Sequence, residues 1–141
     1  MTTEGRARTR QVLKRLLRLE LTCDSLISSP LIRARQTAEL ALQLGLGDTL
    51  NVRDELAPNQ DPLPLLQELL AEEWKRVAIF GHEPDLSQLA SHLLGCSTNS
   101  LQLKKAGVAL VELEPGVPQL EPGSGQLKLL LTPKVLLEGK K

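Results

Sequence analysis

A chain of 141 residues is the length of one domain and long enough to bury a core. Aromatic residues make up only 1% of it, Trp74 and Phe80, so leucine, valine and alanine have to fill that core. Seventeen basic residues balance seventeen acidic ones, and a chain with neither a basic surplus nor aromatic platforms is not built as a dedicated nucleic-acid binder.

Cys23 and Cys96 stand far apart with no CxxC partner, which argues against a disulfide scaffold or a zinc site and for two reduced, buried thiols. The N-terminal run Met1-Thr2-Thr3-Glu4-Gly5-Arg6 has no apolar core of a signal peptide, and no apolar run approaches membrane-spanning length. The expectation is a cytosolic protein with no membrane contact, no metal and no cofactor.

The segment from about Thr3 to Leu19 has helical periodicity, with Val12, Leu13, Leu16, Leu17 and Leu19 on its apolar side and Thr2 or Thr3 as cap. Arg6, Arg8, Arg10, Lys14, Arg15 and Arg18 make the rest basic, either as a solvated face or as a docking surface for an acidic partner. Asp24 to Ser29 reads as a short strand. Pro30 follows Ser29 as an N1 proline follows an N-cap, and a second helix runs from there to about Leu44, stopped by Gly45, with Gly47 in the loop beyond. Leu50 to Arg53 is an edge strand, Ala57 to Asp61 a loop, and Pro62 to Trp74 a third helix. Arg76 to Phe80 is a strand leading to His82, and Pro84 to Leu94 a fourth helix stopped by Gly95. Val108–Leu113 and Gln126–Leu131 read as a hairpin joined by the proline- and glycine-rich run Pro115 to Gly125. The order α-β-α-β-α-β-α-β-β implies a single three-layer α/β/α sandwich over residues 1–141, with a mostly parallel sheet and a C-terminal antiparallel hairpin.

Two places could carry chemistry. His82, in Phe80-Gly81-His82-Glu83-Pro84, lies at the carboxyl end of a strand and beside a helix N-terminus. Ligands bind in that crevice of open α/β sheets, and helix N-termini attract anions. Arg33, in the first turn of the second helix, faces the positive end of the helix dipole, which is mildly unfavourable unless an anion is bound there. Such an anion would receive backbone N–H groups and a bidentate guanidinium together. A hydrogen-bonded turn histidine, and an arginine pointing to solvent or paired with an acid, are the plain alternatives. The second histidine, His92, sits about two turns into the fourth helix and reads as structural or exposed. None of Glu83, Asp85, Asp54 and Glu55 has a spacing that singles out a general acid, and no P-loop, HExxH or GxSxG occurs.

Ser28-Ser29-Pro30-Leu31-Ile32-Arg33-Ala34-Arg35-Gln36-Thr37-Ala38 resembles the "SSPxxRAxQTA" segment of the histidine phosphatase superfamily, with its phosphoglycerate-mutase-like fold. Gly81-His82-Glu83-Pro84 resembles that family's "GHxP" turn, Thr2-Thr3-Glu4-Gly5 its "LTxxG" helix entry, and Lys104-Lys105-Ala106-Gly107 its late "KxG" region. The closest likeness is to the small SixA-type phosphohistidine phosphatases, and it spans almost the whole chain. In the family a histidine in an Arg-His-Gly motif takes the phosphoryl group and water then releases it. By resemblance Arg33 and His82 hold the phosphoryl oxygens and stabilise the transition-state charge, so these two residues are the expected phosphate-binding and catalytic pair. The implied substrate is a phosphorylated protein histidine, as on a histidine-containing phosphotransfer protein in signal transduction, or a small phosphorylated molecule.

The 141 residues contain no Arg-His-Gly. The resemblance begins at a helix cap, whereas the family's domain begins with a strand that ends in the nucleophile. In the family's strand order that strand is interior, between Arg76–Phe80 and Val108–Leu113, and its loss leaves two unpaired edges. The primary expectation is therefore an N-terminally incomplete phosphatase, with an in-frame strand ending in Arg-His-Gly upstream of Met1, and little or no turnover in the chain as written. The alternatives are a non-catalytic phosphate- or phosphohistidine-binding module that keeps Arg33 and His82, and an interaction protein that uses the basic first helix.

Overall fold

The computed structural model describes residues 2–72, 76–97, 101–103, 108–113, 122, 125–132, 134 and 137. Its first helix, α1 (Thr3–Arg18), is capped by Thr2, whose Oγ1 accepts the Gly5 N–H at 3.0 Å. Val12, Leu13 and Leu16 are buried, whereas Arg6, Arg8, Arg10, Lys14 and Arg18 are exposed. Leu19 departs from its expected place in the apolar stripe. It is the C-cap residue and is 46% exposed, because the chain turns away through Glu20 at φ 61.

Strand β1 (Ser25–Ser28) is buried along its whole length and pairs in parallel with β2 (Leu50–Val52) on one side and β3 (Val77–Phe80) on the other. Its register sets Leu26 against Leu50 and Ala78, and Ile27 against Asn51 and Ile79. The sheet order β2-β1-β3 makes β2 an edge, as expected. The two buried polar ends of β1 are satisfied: Ser25 Oγ accepts from Thr49 Oγ1 at 3.2 Å, and Ser28 Oγ donates to the Ser29 carbonyl at 2.8 Å.

Alternation along the strands divides the core in two. Leu26, Ala78 and Phe80 pack with α1 and with Leu40 and Ala41 of α2 (Ile32–Leu44). Ile27, Val77 and Ile79 face α3 (Leu63–Ala71) and α4 (Asp85–Leu94), where Leu65, Leu66, Leu69 and Leu93 are buried. Helices therefore cover both faces, giving the three layers read from the sequence. Gly45 and Gly95 end α2 and α4 in the left-handed region, at φ 88 and φ 74.

The C-terminal strands β4 (Val108–Leu113) and β5 (Gly125–Leu131) form an antiparallel hairpin with an irregularity between Leu110 and Val111. Most of their Pro115–Gly125 connection, together with Trp74 and Lys104–Gly107, lies outside the described residues. Leu131 packs on the α1/α2 side and Val111 and Leu113 on the α3/α4 side, so the hairpin continues the layering. Among the described residues, however, β3 is hydrogen-bonded only to β1, and the hairpin is a sheet of its own. All four β3 residues remain half-exposed, unlike the fully buried β1.

The expectation of two buried thiols holds only in part. Cys23 is half-buried and burial pushes its thiol up from the usual value, but Cys96 is exposed because it follows the Gly95 stop into the turn after α4.

A close approach fixes the loop before β2. A Cβ added to Gly47 would lie 2.7 Å from two carbons of Leu26, which is 0% exposed. Gly47→Ala is expected to cost about 1–3 kcal/mol through overpacking, measured by urea unfolding; an unchanged midpoint would show that Leu26 moves freely.

Candidate active site

The carboxyl ends of β1 and β3 converge at Ser29 and His82. The Ser29 N–H donates to the Phe80 carbonyl at 2.9 Å, which ties the chain leaving β1 to the end of β3. Ser29 is fully buried, and its Oγ lies 2.7 Å from His82 Nε2 while accepting the Leu31 N–H at 3.2 Å. The His82 carbonyl accepts the Leu86 N–H at 2.9 Å, so the histidine also anchors the first turn of α4. The Glu83–Pro84 peptide between them is cis.

This arrangement corrects the expected cap of α2. Ser29 is not its N-cap, and Pro30 is not its first residue; the N-cap is Leu31, with no side-chain cap hydrogen bond. The Ser29 hydroxyl reaches across the sheet end to His82 and accepts the N–H of the N-cap residue Leu31, not one from within α2. Arg33 follows in that first turn and is exposed. Among the described residues its guanidinium has no ion-pair or hydrogen-bond partner; only its backbone carbonyl is engaged, by Thr37 Oγ1 at 3.1 Å. Of the two plain alternatives for Arg33, pairing with an acid is not what is found. Leu31 and Ile32, the two residues before it, form an exposed apolar pair at 44% and 69% exposure.

His82 opens into a recess whose walls include Glu55, Leu56, Gln60, Gly81 and Asp85. Glu55 is not free there. Arg53 donates to it at 2.7 Å and to Glu68 at 2.8 Å, and the Arg53 N–H donates to the Ser28 carbonyl at 2.9 Å. The hydrogen bond from Arg53 holds the Glu55 carboxyl below its usual range, and the same bond raises Arg53. Glu83 accepts a hydrogen bond from Ser87, whose Oγ accepts the Leu103 N–H at 2.9 Å, so this carboxylate is committed to the start of α4. His92 is half-buried in the last turn of α4. The pair that sequence spacing could not find is Ser29–His82, which joins residues 53 apart in the chain. The serine pair before Pro30 was its only local sign.

The Arg53–Glu55 contact predicts a small pH-dependent contribution to stability. A lowered carboxylate stabilises the fold above the unfolded-state value of about 4.3 and loses that contribution as pH falls through its folded value. With the side chains 33% and 34% exposed, solvent screening keeps it below about 1 kcal/mol. Melting temperatures of the wild type and Glu55→Gln are expected to differ slightly at neutral pH and to converge in acid; a gap that widens in acid would contradict this.

The architecture is that of the phosphoglycerate-mutase-like fold. It superimposes on a SixA protein of Agrobacterium tumefaciens, assigned as a phosphohistidine phosphatase, with a TM-score of 0.73 at 18% identity over 94% of this chain and 82% of that one. A second SixA structure, from Nakamurella multipartita, gives 0.71 at 20% identity over 94% and 84%. The alpha-ribazole phosphatase of Shigella flexneri gives 0.67 at 13% identity over 94% and 84%. Residues 1–57 match the family description "Histidine phosphatase superfamily (branch 1)", a stretch that includes Ser29 and Arg33. Over 144 aligned residues the chain is 36% identical to an uncharacterized protein of Picosynechococcus sp. PCC 7002, covering 97% of this chain and 85% of that protein. The chain belongs to the histidine phosphatase superfamily.

Proposed function

We propose that this site is the phosphoryl-binding part of a SixA-type phosphohistidine phosphatase, with Arg33 and His82 as its clamp. The observation that carries the reading is the end of β1, where Ser29 holds His82 and the chain passes directly into the N-terminus of α2, which has no side-chain cap and whose first turn carries Arg33, unpaired among the described residues. Backbone N–H groups, a guanidinium and an imidazole are the donors that a phosphoryl group requires as charge builds on its oxygens. The exposed apolar pair of Leu31 and Ile32 favours a phosphoryl group presented on a protein side chain, such as a phosphohistidine of a signalling partner. A cytoplasmic setting fits that substrate; among the described residues no helix is long and apolar enough to cross a membrane.

In this reading His82 is a clamp and not the nucleophile. The 141 residues hold only His82 and His92 and no Arg-His-Gly, so the attacking group of the family reaction is not among them. The 141-residue chain therefore binds phosphate without turnover. Two measurements test this. Inorganic phosphate is expected to shift the amide and side-chain NMR signals of Ile32, Arg33 and His82; unmoved signals would refute the site. Incubation with phosphoramidate is expected to leave His82 unphosphorylated, and stable phosphate on its imidazole would overturn its assignment as clamp.

A further inference from the structure

The structure assigns a specific duty to Ser29: we infer that it is the positioning residue that fixes the tautomer of His82. Its Oγ is fully buried and has two neighbours, the Leu31 N–H at 3.2 Å and His82 Nε2 at 2.7 Å. The amide can only donate, so it occupies one lone pair of the hydroxyl. The second lone pair could accept from Nε2–H, but the buried hydroxyl proton would then have no acceptor among the described residues; donation to Nε2 is the arrangement that satisfies it. A neutral imidazole that accepts at Nε2 carries its own proton on Nδ1, because the bond made by one ring nitrogen decides the state of the other.

Among the described residues Nδ1 has no hydrogen-bond partner. The half-buried ring lines the recess beside Gly81 and Asp85. Ser29 thus presents Nδ1–H as a ready donor. Its backbone makes the placement rigid, because the Ser29 N–H is bonded to Phe80 at the end of the strand that leads to His82. One residue therefore links both strand ends, the first amide before α2 and the imidazole. The use of Nδ1–H to hold a phosphoryl oxygen rests on the function proposed above; the tautomer assignment does not.

The test is nitrogen-15 NMR of histidine-labelled protein with the imidazole neutral, where the long-range coupling pattern reports which nitrogen carries the proton. The wild type is expected to show His82 as Nδ1–H, against the Nε2–H form that free histidine favours in water. Ser29→Ala is expected to move His82 to Nε2–H and to weaken phosphate binding about fivefold, the loss expected for one neutral hydrogen bond. Ser29→Thr, which keeps the hydroxyl, is expected to retain Nδ1–H. An Nε2–H wild type, or an Nδ1–H form that persists in Ser29→Ala, overturns the assignment; the wild-type measurement suffices if the alanine variant does not fold. A phosphate titration of the wild type that leaves His82 unmoved would instead count against the phosphoryl-binding function, so the two failures are distinguishable.

Discussion

Replacing Arg33 by alanine is expected to weaken phosphate binding by about tenfold or more, the range of a lost charge-assisted hydrogen bond, with little change in stability. The side chain is exposed, and among the described residues its guanidinium has no ion-pair partner. It also stands in the first turn of a helix, where a cation opposes the helix dipole, so its removal relieves a small penalty of a few tenths of a kcal/mol up to about 1 kcal/mol. Arg33→Ala is therefore expected to be as stable as the wild type or slightly more so. A residue that is mildly unfavourable to the fold and favourable to an anion is a marker of a binding role. Arg33→Lys separates charge from shape: it keeps the cation and loses the planar fork, and an affinity between those of the wild type and the alanine variant is expected. Isothermal titration with phosphate measures the affinities, and urea unfolding the stabilities. Equal affinity in all three proteins would remove Arg33 from the site.

The elements were largely legible because each announces itself locally. The α1 stripe of Val12, Leu13 and Leu16, the apolar run Val77–Phe80 and the stops at Gly45 and Gly95 depend on neighbours within a turn or a strand. Arg33 and His82 were legible as candidates for the same reason, since each is defined by its position at an element end. The Ser29–His82 contact was not. Ser29 before a proline has the local chemistry of a helix cap, and only the alignment of β1 with β3 brings His82 within 2.7 Å, where the hydroxyl is used across the sheet end. Likewise Arg53 near Glu55 is visible in the sequence, but its second partner Glu68 comes from α3 and is set by tertiary packing. Strand periodicity does not encode the division into a three-stranded sheet and a separate hairpin, with β3 half-exposed; the family resemblance implied it, through an interior strand missing between Arg76–Phe80 and Val108–Leu113.

The strand that leads to Ser29 depends on Leu26, and the largest stability effect is expected there. Leu26 is 0% exposed and packs between α1 and α2, so Leu26→Ala is expected to cost about 2–5 kcal/mol, as for other buried leucines. The cost depends on how far the cavity can be refilled, and Gly47 offers a direct measure. Its missing side chain would have to occupy the volume that the Leu26 side chain fills, at 2.7 Å from its carbons. In an otherwise wild-type protein the methyl group added by Gly47→Ala clashes with Leu26; combined with Leu26→Ala, the same methyl enters space already vacated. Alanine also restricts the unfolded chain more than glycine, worth about 0.4–1 kcal/mol where the backbone tolerates it, and Gly47 has no left-handed φ to forbid the change. The double variant is therefore expected to be no less stable than Leu26→Ala alone, although each single change is destabilising. That is a coupling of about 1–3 kcal/mol, as found for residues in contact, and a double-mutant cycle by urea unfolding measures it. Additive losses would mean that the loop before β2 does not rest on Leu26, and that β1 is held at its site end by its hydrogen bonds alone.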